Sequence, residues 1–519
     1  MRHFLAILVT VATFGLHLLS GQTVMMTDRA AARFLDQATW GPTADSLAQL
    51  QQVGISAWLA AQFALNTSDL PDQPILNAQG KNNGDMTPIE EAFFENTVTV
   101  QDQLRQRVAF ALSQQWVVSS ATLRPAYAFP PYWRLFRDNA FGNYRDIMKA
   151  LTLSPAMGNY LNMANNNKAN PNKNTAPNEN YARELMQLFT VGLNQLRPDG
   201  SPVLDSNNNP VPTYTQAIVS ATARALTGWT YPVAPDANPK NNNPAYYFGQ
   251  MYSVEAEHDQ AAKTIIGGVN IPSGTTAEQD LDTVLDALLK YPSTAPFVSK
   301  QLIQHLVTSN PSPAYVQRVA SIFANDGSGI AGDMQAVVTA ILTDPEARAA
   351  DDNGSIPNPK FGHMREPVLF VSNLLRGLNA TLGPGSTVYN DSNSLGQTVF
   401  DPPTVFSYFS PLYTLESGEP APEFDIYTAQ TAIQRANIVN AALYGSLDKT
   451  TKIDLTPFEQ ASDVDSMVDY VSYVFLHHNM STPLRQAAIK AATAVQGAKA
   501  QAQAALYIVL TSSEYQIVQ

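Results

Sequence analysis

Along most of this chain, apolar residues recur at spacings of three and four, the repeat that places side chains on one face of a helix. Met334, Val337, Val338, Ile341 and Leu342 form one such stripe, and Leu281, Val284, Leu285 and Leu288 form another. Ile218, Ala221, Ala225 and Trp229 continue the pattern, as do Val371, Leu374, Leu375 and Leu378 just after Pro367, a residue suited to a first helical turn. Thr456 onward reads as helix again and finishes on the apolar run Ala505 to Leu510. Strand-like alternation is scarce and no fixed-period repeat is present. The predicted fold is mainly α: a multi-helix globular array with a few long Asn/Pro-rich loops and at most a small β-hairpin. The loops are 165–177, 198–212 and 236–244, and turn signals at Asp199-Gly200 and Asp205-Ser206-Asn207 place the hairpin in the second.

The stretch from Asn178 to Gly192 reads as one complete helix. Asn178 is the expected N-cap and Gly192 the expected stop. At about 100° per residue, Tyr181, Ala182, Leu185, Leu188 and Phe189 share a face, with Glu179, Asn180, Arg183, Glu184 and Gln187 opposite. Glu179 and Arg183 stand four apart with the acid first, worth about 0.3–0.5 kcal/mol when exposed.

Composition narrows the setting. Among 519 residues, 45% are hydrophobic, enough for a large core, and 14% are charged, so Asn, Gln, Ser and Thr must supply much of the surface. The net charge of −13 and the lack of basic runs exclude nucleic acid as a partner. With no cysteine, disulfides, thiolate nucleophiles, cysteine zinc sites and a cysteine-linked lipid anchor are excluded. Arg2 and His3 followed by the apolar run Phe4 to Leu19 and by Ser20-Gly21-Gln22 read as a signal peptide, short for a membrane span. The alternative is an uncleaved anchor. The expected division is a signal peptide over 1–21, a main helical domain over 22–445 and a C-terminal helical segment over 446–519 packing on it, in a protein exported to the periplasm or the medium.

The Asn178–Gly192 stretch resembles the hallmark motif of the domain of unknown function 1800 family, a large bacterial family. Further segments resemble it in order. They are Ala32-Arg33-Phe34-Leu35-Asp36 through Thr43 (with Trp40 where Phe is usual), Ala140 to Asp146, Ser154 to Gly158, Tyr214-Thr215-Gln216 and Ala223 to Trp229. His258-Asp259 with Lys263, Asp344 to Arg348, Arg365-Glu366-Pro367, Ala421 to Phe424 and Leu510 to Tyr515 follow. The resemblance runs from about Arg29 to the end. It implies an exported bacterial protein of uncharacterised activity and brings no catalytic residue with it.

Candidate chemistry rests on the residues themselves. Glu179, Arg183, Glu184, His258, Asp259 and Arg365 are the catalytic candidates, with Asn178, Asn180, Arg224, Trp229, Lys263 and Glu366 as binding candidates around one cleft. Glu179 and Glu184 diverge by about 140° around a helix, so a glycosidase-like carboxylate pair would need Asp259 or Glu366 as its second member. His258 beside Asp259 can act as base and orienter, or simply make a turn. Trp229 is either a sugar platform or a core residue. His363 precedes the helix expected at Pro367, and His305 and His477-His478 read as structural. Asp205-x-Asn207-x-Asn209 lacks the glycine and the final Glu of a calcium loop, and no metal site is expected. Cofactors and partners stay unknown, apart from the exclusion of nucleic acid and of a stable span once the signal is removed.

Two functions remain open. One is an exported hydrolase acting on an extracellular polymer; the alternative is a non-catalytic exported binding or assembly protein whose polar motifs are ion-pair networks. Convergence of His258 and carboxylates on an open pocket favours the first, and complete burial and pairing the second.

Overall fold

The computed structural model describes residues 26–351 and 360–518. The expected signal peptide over 1–21 lies outside the described residues. About 52% of the chain is helical, and strand is confined to three two-residue antiparallel pairs among the described residues. The mainly α reading is correct. Among the described residues no helix is long and apolar enough to cross a membrane.

The periodic stripes become core-facing helices. Met334–Thr343, Ala277–Leu289 and Pro367–Gly377 bury the apolar positions that defined them, and Pro367 opens its helix. Side-chain caps fix several starts: Thr276 with Gln279 forms a capping box, and Asp333 accepts the amide of Ala336. The stripe ending at Trp229 is the exception. Its helix, Gln216–Ala225, buries Ala225 from the stripe but Val219, Thr222 and Ala223 in place of the half-buried Ile218 and Ala221, while Trp229 sits in a strand paired with Ser253. Gly228, at φ 89°, breaks the helical path between them.

One cluster of buried apolar side chains runs from Ala31 to Tyr515. The last strand, Ile517–Val518, pairs with His363–Met364, and Thr381 pairs with Lys452, so the C-terminal helices are stitched into the body of the fold. The 198–212 loop carries bridges Leu196↔Pro202 and Leu204↔Pro210 inside Asn194↔Pro212, a doubly folded ribbon rather than one hairpin. Asp205 Oδ1 accepts the amides of Asn207 and Asn209, so this acid shapes a turn.

Candidate functional site

The hallmark helix is shorter than its sequence suggests, spanning Asn180–Gln187. Asn178 acts one residue early: its Oδ1 accepts the Asn180 amide at 2.9 Å, while Asn166 clamps its backbone from both sides. Past Gln187 the backbone tightens, with the Val191 and Gly192 amides both donating to the Met186 carbonyl. Gly192 is the stop in another sense, since at φ 71° a side chain there would meet Phe297. Tyr181, Ala182 and Leu185 are buried as expected; Met186 joins them in place of the half-buried Leu188.

The polar face docks on the next helix. Glu179 takes Arg183 at 3.2 Å, Gln216 at 2.7 Å and the Ser220 hydroxyl. The Ser220 bond leads the contacts that hold its carboxyl below the ordinary value. Gln216, Ser220 and Arg224 follow at intervals of four along Gln216–Ala225, so one helix face reaches Glu179 at one end and Asp259 at the other. Asn180 bonds Asn162 at 3.2 Å. Glu184 differs from this group: it is half-buried, burial pushes its carboxyl up, and Oε2 has no hydrogen-bond partner among the described residues.

His258 lies in the core. Its Nδ1 is 3.0 Å from the Thr227 carbonyl, and its Nε2 is 3.2 Å from Asp280 Oδ2. Lys263 donates to the same Asp280 oxygen, and the side chains of His258, Lys263 and Asp280 are all 0% exposed. Burial opposes ionisation of Asp280, but bonds from His258 and Lys263 outweigh it and hold the carboxyl low. Asp259 is likewise penalised by burial and held low by the Arg224 fork at 2.7 and 3.1 Å, with Arg224 itself shifted up mainly by that bond. These pairs tie Gln216–Ala225 to Ala277–Leu289. Neither Glu179 nor Glu184 bonds His258 or Asp259, so the hallmark helix and the His258 group are linked through the Gln216–Ala225 helix rather than sharing a centre. Trp229, 0% exposed, is a core residue and offers no platform for a sugar.

Arg365 and Glu366 belong to other networks, which corrects the expectation of one cleft. Glu366 is buried where its oxygens accept from Gln114 at 3.1 Å and from Gln397; burial raises its carboxyl despite nearby Arg107. Arg365 donates to Asp36 and to the Tyr515 carbonyl, and its guanidinium lies 4.8 Å from the centre of the Tyr515 ring. Asp36 also takes His477 Nε2 at 2.9 Å and Asn373 Nδ2 at 2.9 Å. Burial resists its charge, yet Arg365 and His477 hold the carboxyl well below the usual range. His477 is held below the ordinary imidazole value by burial, against the pull of Asp36. Beside an ionised Asp36, a neutral His477 would donate from Nε2, which leaves Nδ1 as an acceptor.

This hub backs an open cleft of about 270 Å³ lined by Arg33, Arg365, His477, Asn479, Glu514 and apolar side chains from the Val464–Leu476 helix and the last strand. His477 and His478 both adopt left-handed backbone, and Arg29 holds their carbonyls and Asn479 in place. Arg33 is anchored by Asp351 and Glu514 by the Ser481 amide at 2.9 Å. Arg365 Nε and His477 Nδ1 are buried without a hydrogen-bond partner among the described residues, each a cost of about 1–3 kcal/mol if left unmet. The sequence reading had His477 as structural and missed Asp36. The available signal was a carboxylate at 36 inside a helix start otherwise rich in Ala, Phe and Leu.

The cleft therefore joins the opening segment around Arg33-Phe34-Leu35-Asp36 with Arg365 and the Ser513-Glu514-Tyr515 end of the chain. Among the described residues, no group of three or more His, Asp or Glu side chains is placed to hold a metal. The family described as "Protein of unknown function (DUF1800)" matches residues 33–517. No curated protein and no solved structure matches the chain. The chain belongs to the DUF1800 family of proteins of unknown function.

Proposed function

We propose that this is an exported, non-catalytic binding or assembly protein whose polar motifs lock helices together. The observation that carries the reading is the burial of His258 and Lys263 against Asp280, together with the pairing of half-buried Arg224 with Asp259. A general base must reach a substrate proton, and a fully buried imidazole wedged between Thr227 and a carboxylate has no such access. Export is supported by Arg2, His3 and the apolar run that follows; N-terminal sequencing of secreted protein should find the chain starting near Gly21 or Gln22. The function is tested with His258→Ala and Asp259→Asn, measuring both melting and release of reducing ends from bacterial and plant polysaccharides. The account expects destabilised variants and no release by parent or variant. Release by the parent that His258→Ala abolishes while melting like the parent would favour a polymer hydrolase and overturn it.

A further inference from the structure

We infer that Lys263 and Asp280 condense into an amide inside the folded chain, with His258 carrying the proton. The inference goes beyond the locking of helices proposed above, since it asks this pair for a covalent bond rather than an attraction. Lys263 Nζ contacts Asp280 Oδ2, and both side chains are 0% exposed. The other lysine ion pairs among the described residues, at Lys149 and Lys360, leave 34% and 58% of the lysine side chain exposed. Buried pairs such as Arg365 with Asp36 contain a guanidinium, which keeps its proton and is no nucleophile. A lysine amine becomes one on losing a proton. His258 Nε2 stands 3.2 Å from the same carboxylate oxygen. The Thr227 carbonyl, 3.0 Å from Nδ1, can only accept, so Nδ1 carries a proton there. The neutral ring then turns the Nε2 lone pair toward Asp280. It is placed to take a proton from Nζ by way of Oδ2 and to return it to the departing oxygen.

The step balances without a co-reactant. Nζ attacks Asp280 Cγ, the Nζ–Cγ bond forms and the Cγ–Oδ2 bond breaks. Of the three protons on the ammonium, two leave with Oδ2 as water and the third stays on the new amide. One of those two crosses on His258 Nε2, and the ring ends neutral as it began. Oδ1 remains as the amide oxygen, and the amide N–H keeps the Asp259 carbonyl to which Nζ already donates. Two buried charges disappear, and with them the cost of holding ions away from water. Exclusion of water also opposes hydrolysis of the product. The bond ties strand Lys263–Thr264 to helix Ala277–Leu289 across 17 residues, in a chain with no cysteine for a disulfide.

The test is mass spectrometry of the full mature chain under denaturing conditions, followed by peptide mapping. The parent should weigh one water less than its sequence, about 18 Da, and a digest should yield a branched peptide joining Lys263 to Asp280. Lys263→Met should have the full mass of its sequence, and His258→Ala should carry a clearly smaller cross-linked fraction. The parent measurement needs no variant, so it decides the matter even where a variant fails to fold. A folded parent at full sequence mass, with Lys263 free and cleavable by a lysine-specific protease, overturns the inference. So does a water lost at any other pair of residues. An equal cross-linked fraction in His258→Ala overturns the proton transfer and with it the step as written. Release of reducing ends by the parent would instead overturn the non-catalytic reading, and it leaves the mass unaffected.

Discussion

Replacing Asp36 by Asn removes one charge from the hub that joins the Asp28–Ala38 helix, Pro367–Gly377 and the chain's C-terminal end. The carboxylate accepts from Arg365 and His477 on one oxygen and from Asn373 on the other. An amide of the same size offers one acceptor oxygen and turns an NH2 group toward a donor, so at least one bond is lost. The Arg365 guanidinium, 2% exposed, then has no carboxylate. Breaking a buried pair by removing one member costs about 3–5 kcal/mol, against less than about 1 for an exposed pair. That is a large share of a total stability of about 5–15 kcal/mol. Because Asp36 is held below its ordinary value, its contribution is full at neutral pH and is lost only as pH falls below about 4. Urea unfolding followed by far-ultraviolet circular dichroism at pH 7 should show a lower midpoint with unchanged slope. Asp28→Asn, an exposed residue 3.4 Å from His478, is the control and should stay within about 0.5 kcal/mol of the parent. An Asp36→Asn variant that unfolds with the control would refute the hub.

Glu184→Gln should match the parent or exceed it by up to about 1 kcal/mol at pH 7, because burial already disfavours the charged acid; calorimetric melting decides it. Glu423 is pushed up to about 8 by burial, so the folded state holds its proton more tightly than the unfolded chain does. Its contribution is therefore full below about pH 4.5 and lost as pH rises through about 8, and urea midpoints should fall across that window. Glu423→Gln should flatten the decline, and an unchanged slope would count against the buried neutral acid. Gly228→Ala should cost about 1–3 kcal/mol, since φ is 89° and the new carbon would come 3.0 Å from the His258 amide; thermal unfolding at parental stability would contradict that packing.

The helices with clean stripes, such as Met334–Thr343, were legible because core burial and helical period agree there. The reading failed at Trp229, where a glycine with positive φ ended the helix while the apolar spacing continued by coincidence. The hallmark helix was found but overextended, since Val191 and Gly192 fold back on Met186 through backbone bonds that leave no periodic trace. Within the candidate chemistry, the local Glu179–Arg183 pair was predictable from a spacing of four. Asp280, which pairs with His258 and Lys263, and Asp36, which pairs with Arg365 and His477, were not. Their partners lie 17 to 441 residues away, and pairing over such separations is set by tertiary packing. Arg365 and Glu366 are neighbours in sequence yet face different networks, which a motif read as one unit conceals.

The central claim, that the charges of these motifs bind helix to helix, is tested most directly by a double-mutant cycle on Lys263 and Asp280. Lys263→Met and Asp280→Asn each leave a buried partner uncompensated, and each should lower the unfolding free energy by about 3–5 kcal/mol in urea at pH 7. The double variant removes both charges together and should recover part of that loss, giving a coupling energy of about 1–3 kcal/mol. Single variants at parental stability, or effects that simply add, would contradict the account.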